Sequence, residues 1–477
     1  MGHERQFIGR NAELEKLASL LRKKSASLVV IRGRRRIGKS RLIEESAKGM
    51  TFYSFAGLAP TKETTAQSQR DVFSYQLSEQ TGLPNVKADD WAKLFQLLYE
   101  RTKTGRIVLL FDEISWMGSK DSDFLGKIKH FWDQKLKQNP QLLFVICGSA
   151  SSWIEKNILS NTGFLGRVSL TLTLDELPLK DCALFWDKHN NIVPYEKFKL
   201  LSVVGGVPRY LEEINPSLTA EENIAKLCFH KAGILVDEFD HIFSNTFRHN
   251  TPMYQAIISL LANVPKETSE ISKELDVEIT GALSEYLEEL VLCGFIKRDY
   301  TWGIKNGQDS RLSRYRLSDN YLRFYLHYIK KYKTKIERDN FQFNSMSALP
   351  GWRTVLGLQF ENLVLNNRQA IQESLGVKRG DIISDNPFFQ RKTTKQPGCQ
   401  IDYLIQTQFN TLYVCEIKFS KNRIGCDIIE EMQNKIDRLK RPKGFSCRPI
   451  LIHVNGVTDD LFDENYFAKI IDFCDFL

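Results

Sequence analysis

Long apolar runs are missing from this chain. No stretch of its 477 residues approaches the roughly 20 that a helical membrane span needs. The opening "MGHERQFIGR" has no apolar region of the signal-peptide kind. The expectation is a cytoplasmic protein with no membrane partner. Paired cysteines are missing too: nine cysteines are scattered with no C-x-x-C spacing, which fits a reducing compartment and argues against a disulfide framework. There is neither a repeat period nor a low-complexity tract. Excess charge of one sign is small, since 66 Lys and Arg stand against 58 Asp and Glu. Its location is more telling. Between Lys297 and Asp339 twelve Lys and Arg face five Asp and Glu, so one segment carries nearly all of the net +8. What is plentiful is apolar content, 42%, enough for sizeable cores. The length suggests about three domains.

The first chemistry sits in "VVIRGRRRIGKS", residues 29–40. The run Leu28 to Ile31 reads as a buried parallel strand, and Gly33, Arg34, Arg35, Arg36, Ile37, Gly38, Lys39, Ser40 and Arg41 follow the spacing of a phosphate-binding P-loop. Gly33 and Gly38 permit a tight turn with inward N–H groups, and "SRLIEESAKG" supplies a helix whose positive end faces the same point. Lys39 is expected on the β and γ phosphates of ATP, and the Ser40 hydroxyl on a Mg2+ ion. A second strand, "RIVLLFDEIS", ends in Asp112 for the metal and Glu113 to orient or deprotonate the attacking water, a pair that points to hydrolysis. A third, "LLFVICGSA", ends at Ser149, where a hydroxyl can sense the γ-phosphate. Arg167 is a candidate for the transition-state charge, against the commoner fate of a surface arginine, an ion pair.

These stretches, with "FIGRNAELEKL" (7–17), "GR" (166–167) and "GGVPRYLEE" (205–213), resemble the archaeal-type ATPase family of signal-transducing P-loop NTPases related to the AAA+ class. The resemblance covers roughly the first half of the chain. It implies that Phe7 to Arg10 lie near the adenine, that Pro208 touches the nucleotide from a helical lid, and that the protein switches between nucleotide states. A nucleotide-dependent homo-oligomer is also expected.

Residues 250–320 read as a winged helix: three helical patterns, then "FIKRDYTWGIKNGQDSRLSRYRLSD", two strands around a Gly/Asn/Asp loop. A similar arrangement follows the ATPase module in the same family. The basic wing, with Lys297, Arg298, Lys305, Arg311, Arg314 and Arg316, is expected to meet DNA phosphates without sequence preference, the alternative being a winged helix that docks a protein or serves only contacts within the chain. Glu278, Glu285, Glu288 and Glu289 make the helix in the recognition position a poor base reader. Tyr321, Phe324, Tyr325 and Tyr328 read as inward-packing aromatics.

The second chemistry lies in "GCQIDYLIQTQFNTLYVCEIKFSKN", 398–422. Residues two apart on a strand share a face, so Glu416 and Lys418 project together and a neighbouring strand can bring Asp402 alongside. Such a constellation suits a metal-dependent phosphodiesterase, with Mg2+ or Mn2+ as the ion. These residues resemble the PD-(D/E)XK nuclease core over about residues 351–455. The resemblance implies Glu361 as a further acid on the preceding helix and Gln433 as a helix glutamine. Upstream, "FFQRKTTK" offers a basic track.

The resulting expectation is a multidomain α/β protein: a P-loop NTPase parallel sheet (1–175), a helical lid (176–249), a winged helix (250–320), a helical connector (321–350) and a restriction-endonuclease-like α/β domain (351–477). Its function would be ATP hydrolysis coupled to a DNA-binding, metal-dependent nuclease-like domain. The alternative is an ATP-dependent switch or scaffold whose C-terminal part binds DNA or protein without cutting.

Overall fold

The computed structural model describes residues 6–149, 151–186, 192–247, 250–394 and 396–477. Ala150 of "CGSA", Lys395 of "FFQRKTTK" and the first five residues lie outside them. The chain divides into two compact units. One comprises Met1–Leu177, Ser244–Arg248 and Glu288–Gly294; the other comprises Pro178–Phe243, His249–Leu287 and Phe295–Leu477.

The first unit is built on strands β1 (Ser27–Arg32), β2 (Thr51–Ala56), β3 (Ile107–Asp112), β4 (Leu142–Gly148) and β5 (Val168–Thr173). They form one sheet in the order β2-β3-β4-β1-β5 with every pairing parallel. Parallel strands covered on both faces read as near-continuous apolar runs, and Leu28 to Ile31 of β1, Ile107 to Phe111 of β3 and Leu142 to Cys147 of β4 are such runs. Alternate residues feed two cores. Phe55, Phe73, Trp91, Phe95, Phe111 and Phe144 form an aromatic cluster on one face. Val29, Ile31, Ile37, Leu42, Val145 and Leu172 form an aliphatic one on the other. Register then aligns the strand ends, with Arg32 beside Gly148 and Phe111 beside Ile146. The carboxyl ends of β1, β3 and β4 therefore open at one edge, where ligands of open α/β sheets bind.

In the second unit, helices Thr251–Leu261 and Thr268–Leu275, and Gly281–Leu292 which begins in it, precede the antiparallel pair β6 (Ile296–Gly303) and β7 (Gln308–Leu317). An isolated bridge from Lys266 to Tyr315 adds a third short rung. The Trp352–Asn366 helix leads into a five-stranded sheet of β8 (Ile382–Gln390), β9 (Cys399–Thr407), β10 (Thr411–Lys418), β11 (Ser446–His453) and β12 (Lys469–Asp472). Its order is β12-β11-β10-β9-β8, antiparallel from β8 to β10 and parallel from β10 to β12. The parallel β10–β11 step needs a crossover, and the Asp427–Arg438 helix supplies it, burying Ile428, Met432 and Ile436.

The β6–β7 hairpin is not a free wing. Trp302 and Ile304 lie in the core of the C-terminal sheet with Phe388, Leu404 and Leu412. Trp302 Nε1 donates to Gln406 Oε1 at 2.6 Å, and Gln406 Nε2 donates to the Ile304 carbonyl at 2.9 Å. Gly307 has φ +66, and a Cβ there would meet Ile383 Cγ2 at 2.4 Å. One expected phosphate contact is accordingly corrected. Arg316 is 3% exposed, with Nε donating to Asp299 Oδ2 at 2.9 Å and Nη1 to Asn362 Oδ1 at 2.5 Å. A guanidinium taken out of water needs fixed partners, and these acceptors supply them where solvent phosphate cannot reach. Asn362 and Gln359 of the Trp352–Asn366 helix continue the network to Leu317, Asn320 and Arg323. Tyr321, Phe324, Tyr325 and Tyr328 are buried, as their spacing implied.

Candidate functional site

At the end of β1 the backbone turns through Gly33 (φ +148), Arg36 (φ +66) and Gly38 (φ +89). Only glycine fits the first of these, because a Cβ would stand 2.5 Å from the Leu174 carbonyl oxygen. Gly38 then caps the Lys39–Ser46 helix. Ile37 anchors the loop in the aliphatic core. Lys39 is buried, and its ammonium donates to the carbonyls of Gly33 (2.9 Å) and Arg34 (3.0 Å), lying back along the loop. The Arg35 guanidinium keeps a buried Nη1 without a hydrogen-bond partner, a donor that suits an anion. Arg34 pairs with Glu176 at 3.3 Å, and Arg41 with Glu44 at 3.6 Å.

The carboxylates of β3 are tied into the same edge. Ser40 Oγ donates to Asp112 Oδ2 at 2.5 Å, and Asp112 Oδ1 accepts from the Glu113 N–H at 2.9 Å. Glu113 sits in the left-handed region (φ +47), which swings its side chain across to β4. There its Oε2 accepts from both the N–H (3.2 Å) and Oγ (3.1 Å) of Ser149. Beneath them burial, and then Asp112, push the Cys147 thiol well above its usual range, leaving it an inert core residue. Ser40 and Asp112 offer adjacent hard oxygen donors and fit a Mg2+ ion. Arg10 is buried, donating to the carbonyls of Asp175 (2.5 Å) and Ile37 (3.3 Å), while half-buried Phe7 packs against the aliphatic core. Arg167 makes a forked ion pair with Asp133, at 3.0 Å and 3.1 Å from Nε and 2.9 Å from Nη2. Pro208 belongs to the second unit and opens the Pro208–Leu211 turn of helix.

The second constellation is at the adjoining edges of β9 and β10. One step beyond the Tyr403–Cys415 pair, Asp402 and Glu416 meet, and Asp402 Oδ2 accepts from the Ile417 N–H at 3.0 Å. The lysine that joins them is Lys435, from the crossover helix. Its ammonium is ion-paired with Glu416 and lies 3.7 Å from Asp402 Oδ1. Lys418 turns instead to Glu431, at 2.6 Å. Gln433 is held by Asp437 (2.8 Å) and Tyr466 (2.9 Å). Burial, then the neighbouring Asp402, push the carboxyls of both Glu416 and Glu361 up to about 7. Burial opposes the charge on Lys435, but Asp402 and Glu416 outweigh it and its pKa is raised. Among the described residues no group of three His, Cys, Asp or Glu is placed to hold a metal ion. As arranged, the two carboxylates hold the Lys435 ammonium between them. Lys435 was findable in the sequence: it follows Met432 by three and Ile428 by seven, on the core-facing stripe of "DIIEEMQNKIDR".

Residues 7–214 match the family described as an ATPase domain predominantly from Archaea. The uncharacterized protein MJECL04 of Methanocaldococcus jannaschii is 25% identical over 358 residues, 75% of this chain and 76% of the relative. Among solved structures, the Walker-type ATPase PABY2304 of Pyrococcus abyssi superposes with a TM-score of 0.50 at 16% identity, covering 68% of this chain and 97% of that one. The ORC2 protein of Aeropyrum pernix gives a TM-score of 0.43 at 13% identity, covering 71% and 97%.

Proposed function

We propose that this chain, whose residues 7–214 carry an archaeal-type P-loop ATPase domain, uses ATP hydrolysis to govern the binding of DNA by its C-terminal half. One observation carries the hydrolytic part: Ser40, Asp112, Glu113 and Ser149 form an unbroken hydrogen-bonded chain beside the P-loop. Phosphates entering the loop meet the N–H groups of residues 33–39 and the unpartnered Arg35 donor, and they draw the Lys39 ammonium away from the Gly33 and Arg34 carbonyls. Ser40 and Asp112 would hold Mg2+, which when bound offsets charge on the β and γ oxygens. Glu113 accepts the proton of the attacking water, and Ser149 orients that carboxylate until the γ-phosphate competes for its hydroxyl. Pro208 and Arg167 are assigned to lid and transition-state roles by family likeness, and Arg167 must first leave Asp133.

The domain reading is a P-loop core, a lid, a winged helix, a connector and a nuclease-like sheet, within the boundaries given above. A winged helix is supported by the order of three helices before β6 and β7. A nuclease-like sheet is supported by a helix, the Asp402 strand, the Glu416 strand, a crossover helix and a parallel strand in succession. A cutting centre is the second reading, favoured by the meeting of Asp402 with Glu416. It requires that Lys435 first vacate the pair. The test is ATP turnover and DNA cleavage by wild type, Lys39→Ala and Asp402→Asn. Loss of turnover in Lys39→Ala supports the ATPase reading, and unchanged turnover refutes it. Cleavage that Asp402→Asn abolishes establishes the cutting centre; intact DNA in every lane, with turnover present, leaves the switch or scaffold.

A further inference from the structure

A groove of about 640 Å3 opens in the second unit between the β6–β7 turn, the end of β8 and the segment after the crossover helix. Lys305, Arg391, Lys440 and Arg441 line it, and among the described residues no acidic one does. All four side chains are exposed. Lys305 comes from the hairpin turn, Arg391 from just beyond β8, and Lys440 and Arg441 from beyond the Asp427–Arg438 helix. Three separate segments thus bring like charges to one groove, and an anion there would relieve their repulsion. Arg391 is ion-paired with Glu267 from outside the lining, and Arg441 Nη1 donates to the Ile436 carbonyl at 2.7 Å.

The walls are pinned. Gln390 Oε1 accepts from the Lys440 N–H at 3.0 Å and its Nε2 donates to the Arg438 carbonyl at 3.0 Å, fixing the far wall to the end of β8. Trp302 to Gln406 fixes the hairpin wall. The aromatic rings at the floor are spent on packing: Phe388 and Phe389 are buried, and the Arg314 guanidinium lies 4.3 Å over the Phe389 ring. The groove therefore presents charge and no open stacking platform, which suits a backbone and not bases. Behind the two phenylalanines lies a narrow cavity of about 20 Å3, room for a single water, lined by Arg314, Arg316, Glu361 and Asp402. Arg314 keeps a buried Nε without a partner at that position.

We infer that this groove binds the phosphodiester backbone of a nucleic-acid strand, independently of base sequence. The inference rests on the nucleic-acid reading above and gives it an address, the joint between hairpin and sheet in place of an exposed wing or recognition helix. A phosphodiester backbone, with evenly spaced charges, matches a groove whose rings are covered and which is lined by Lys305, Lys440 and Arg441 beside the Glu267-paired Arg391.

The test uses the full chain and fluorescence anisotropy with a labelled 30-nucleotide DNA strand, the same strand as RNA, the DNA duplex, and poly-glutamate. The groove variant is Lys305→Ala/Lys440→Ala/Arg441→Ala. A control variant, Lys330→Ala/Lys331→Ala/Lys335→Ala, removes three charges from the connector helix. The groove variant should bind nucleic acid at least tenfold more weakly at 100 mM salt. Its slope of log affinity against log salt should be shallower by about 2, since each lost contact to a single strand removes roughly 0.7. The control should keep the wild-type slope. DNA and RNA arms tell which strand it takes. If wild type binds and the groove variant matches it, the groove assignment is overturned while the nucleic-acid reading stands; if wild type binds no nucleic acid, both fall. Equal capture of poly-glutamate would overturn the ligand class.

Discussion

Replacing Lys435 by methionine keeps the length of the side chain and removes only its charge. The ammonium lies 3.7 Å from Asp402 Oδ1 and is ion-paired with Glu416. At an effective dielectric near 20 one such pair is worth about 4 kcal/mol of direct attraction. Lys435 is 27% exposed and pays for its own burial, so the net loss on removal is nearer 2 kcal/mol. The loss must depend on pH in a defined direction. Glu416 and Glu361 have folded pKa values raised from 4.5 to about 7. A carboxyl raised in this way binds its proton more tightly in the fold than in the unfolded chain. Its stabilising contribution is complete below about pH 4.5 and is lost as pH rises through about 7. Without Lys435, which lowers the Glu416 value, that carboxyl moves further up. At pH 8 the variant must bury two uncompensated charges or hold a costly proton; at pH 5 Glu416 is already protonated. Thermal unfolding of wild type and Lys435→Met at both values is the assay. The expected penalty is about 2 kcal/mol at pH 8 and under half of that at pH 5. An equal penalty at both, or a larger one at pH 5, would refute the electrostatic account and leave only lost packing.

Glu113→Gln should retain nucleotide binding and lose turnover by about a hundredfold or more, measured as ATP hydrolysis beside a binding titration, since a positioned base contributes at least that much. Gly33→Ala forces a Cβ to 2.5 Å from the Leu174 oxygen at φ +148; ATP affinity should fall at least tenfold, read by isothermal titration. Trp302→Phe strands the buried Gln406 Oε1 acceptor and should cost about 1–3 kcal/mol in unfolding free energy, with ATP turnover unchanged.

The ATPase end of the fold was legible because several signals coincide there. Apolar strands, glycines at fixed spacing and acids at a strand end answer to local rules, and Gly33, Lys39, Ser40, Asp112, Glu113 and Ser149 do converge in the first unit. At the C-terminal sheet the strands and both acids were legible from periodicity two. The lysine needed a second periodicity, because strand spacing selects Lys418 while the helical stripe of the crossover delivers Lys435 to the same acids. The hairpin misled for a related reason. A basic, Gly-turned pair of strands looks like a solvated wing until Trp302 and Ile304 find a core contributed by residues a hundred positions away. Local charge counts say nothing of such burial, and Arg316 is the residue on which that failure is plainest.

The polar network under the hairpin has a mechanical consequence. Arg316, Asn362, Asn320, Gln359 and Arg323 satisfy one another and the nearby carbonyls inside a buried volume, with Asp299 taking the charge of Arg316. Hydrophobic faces slide past each other at a gradual cost, whereas a lattice of saturated donors has one bottom and steep walls, because any shift leaves several groups bare at once. The hairpin and the Trp352–Asn366 helix should therefore behave as a single stiff body, and a strand seated in the groove would have to be laid in from the open side, not admitted by a hinge.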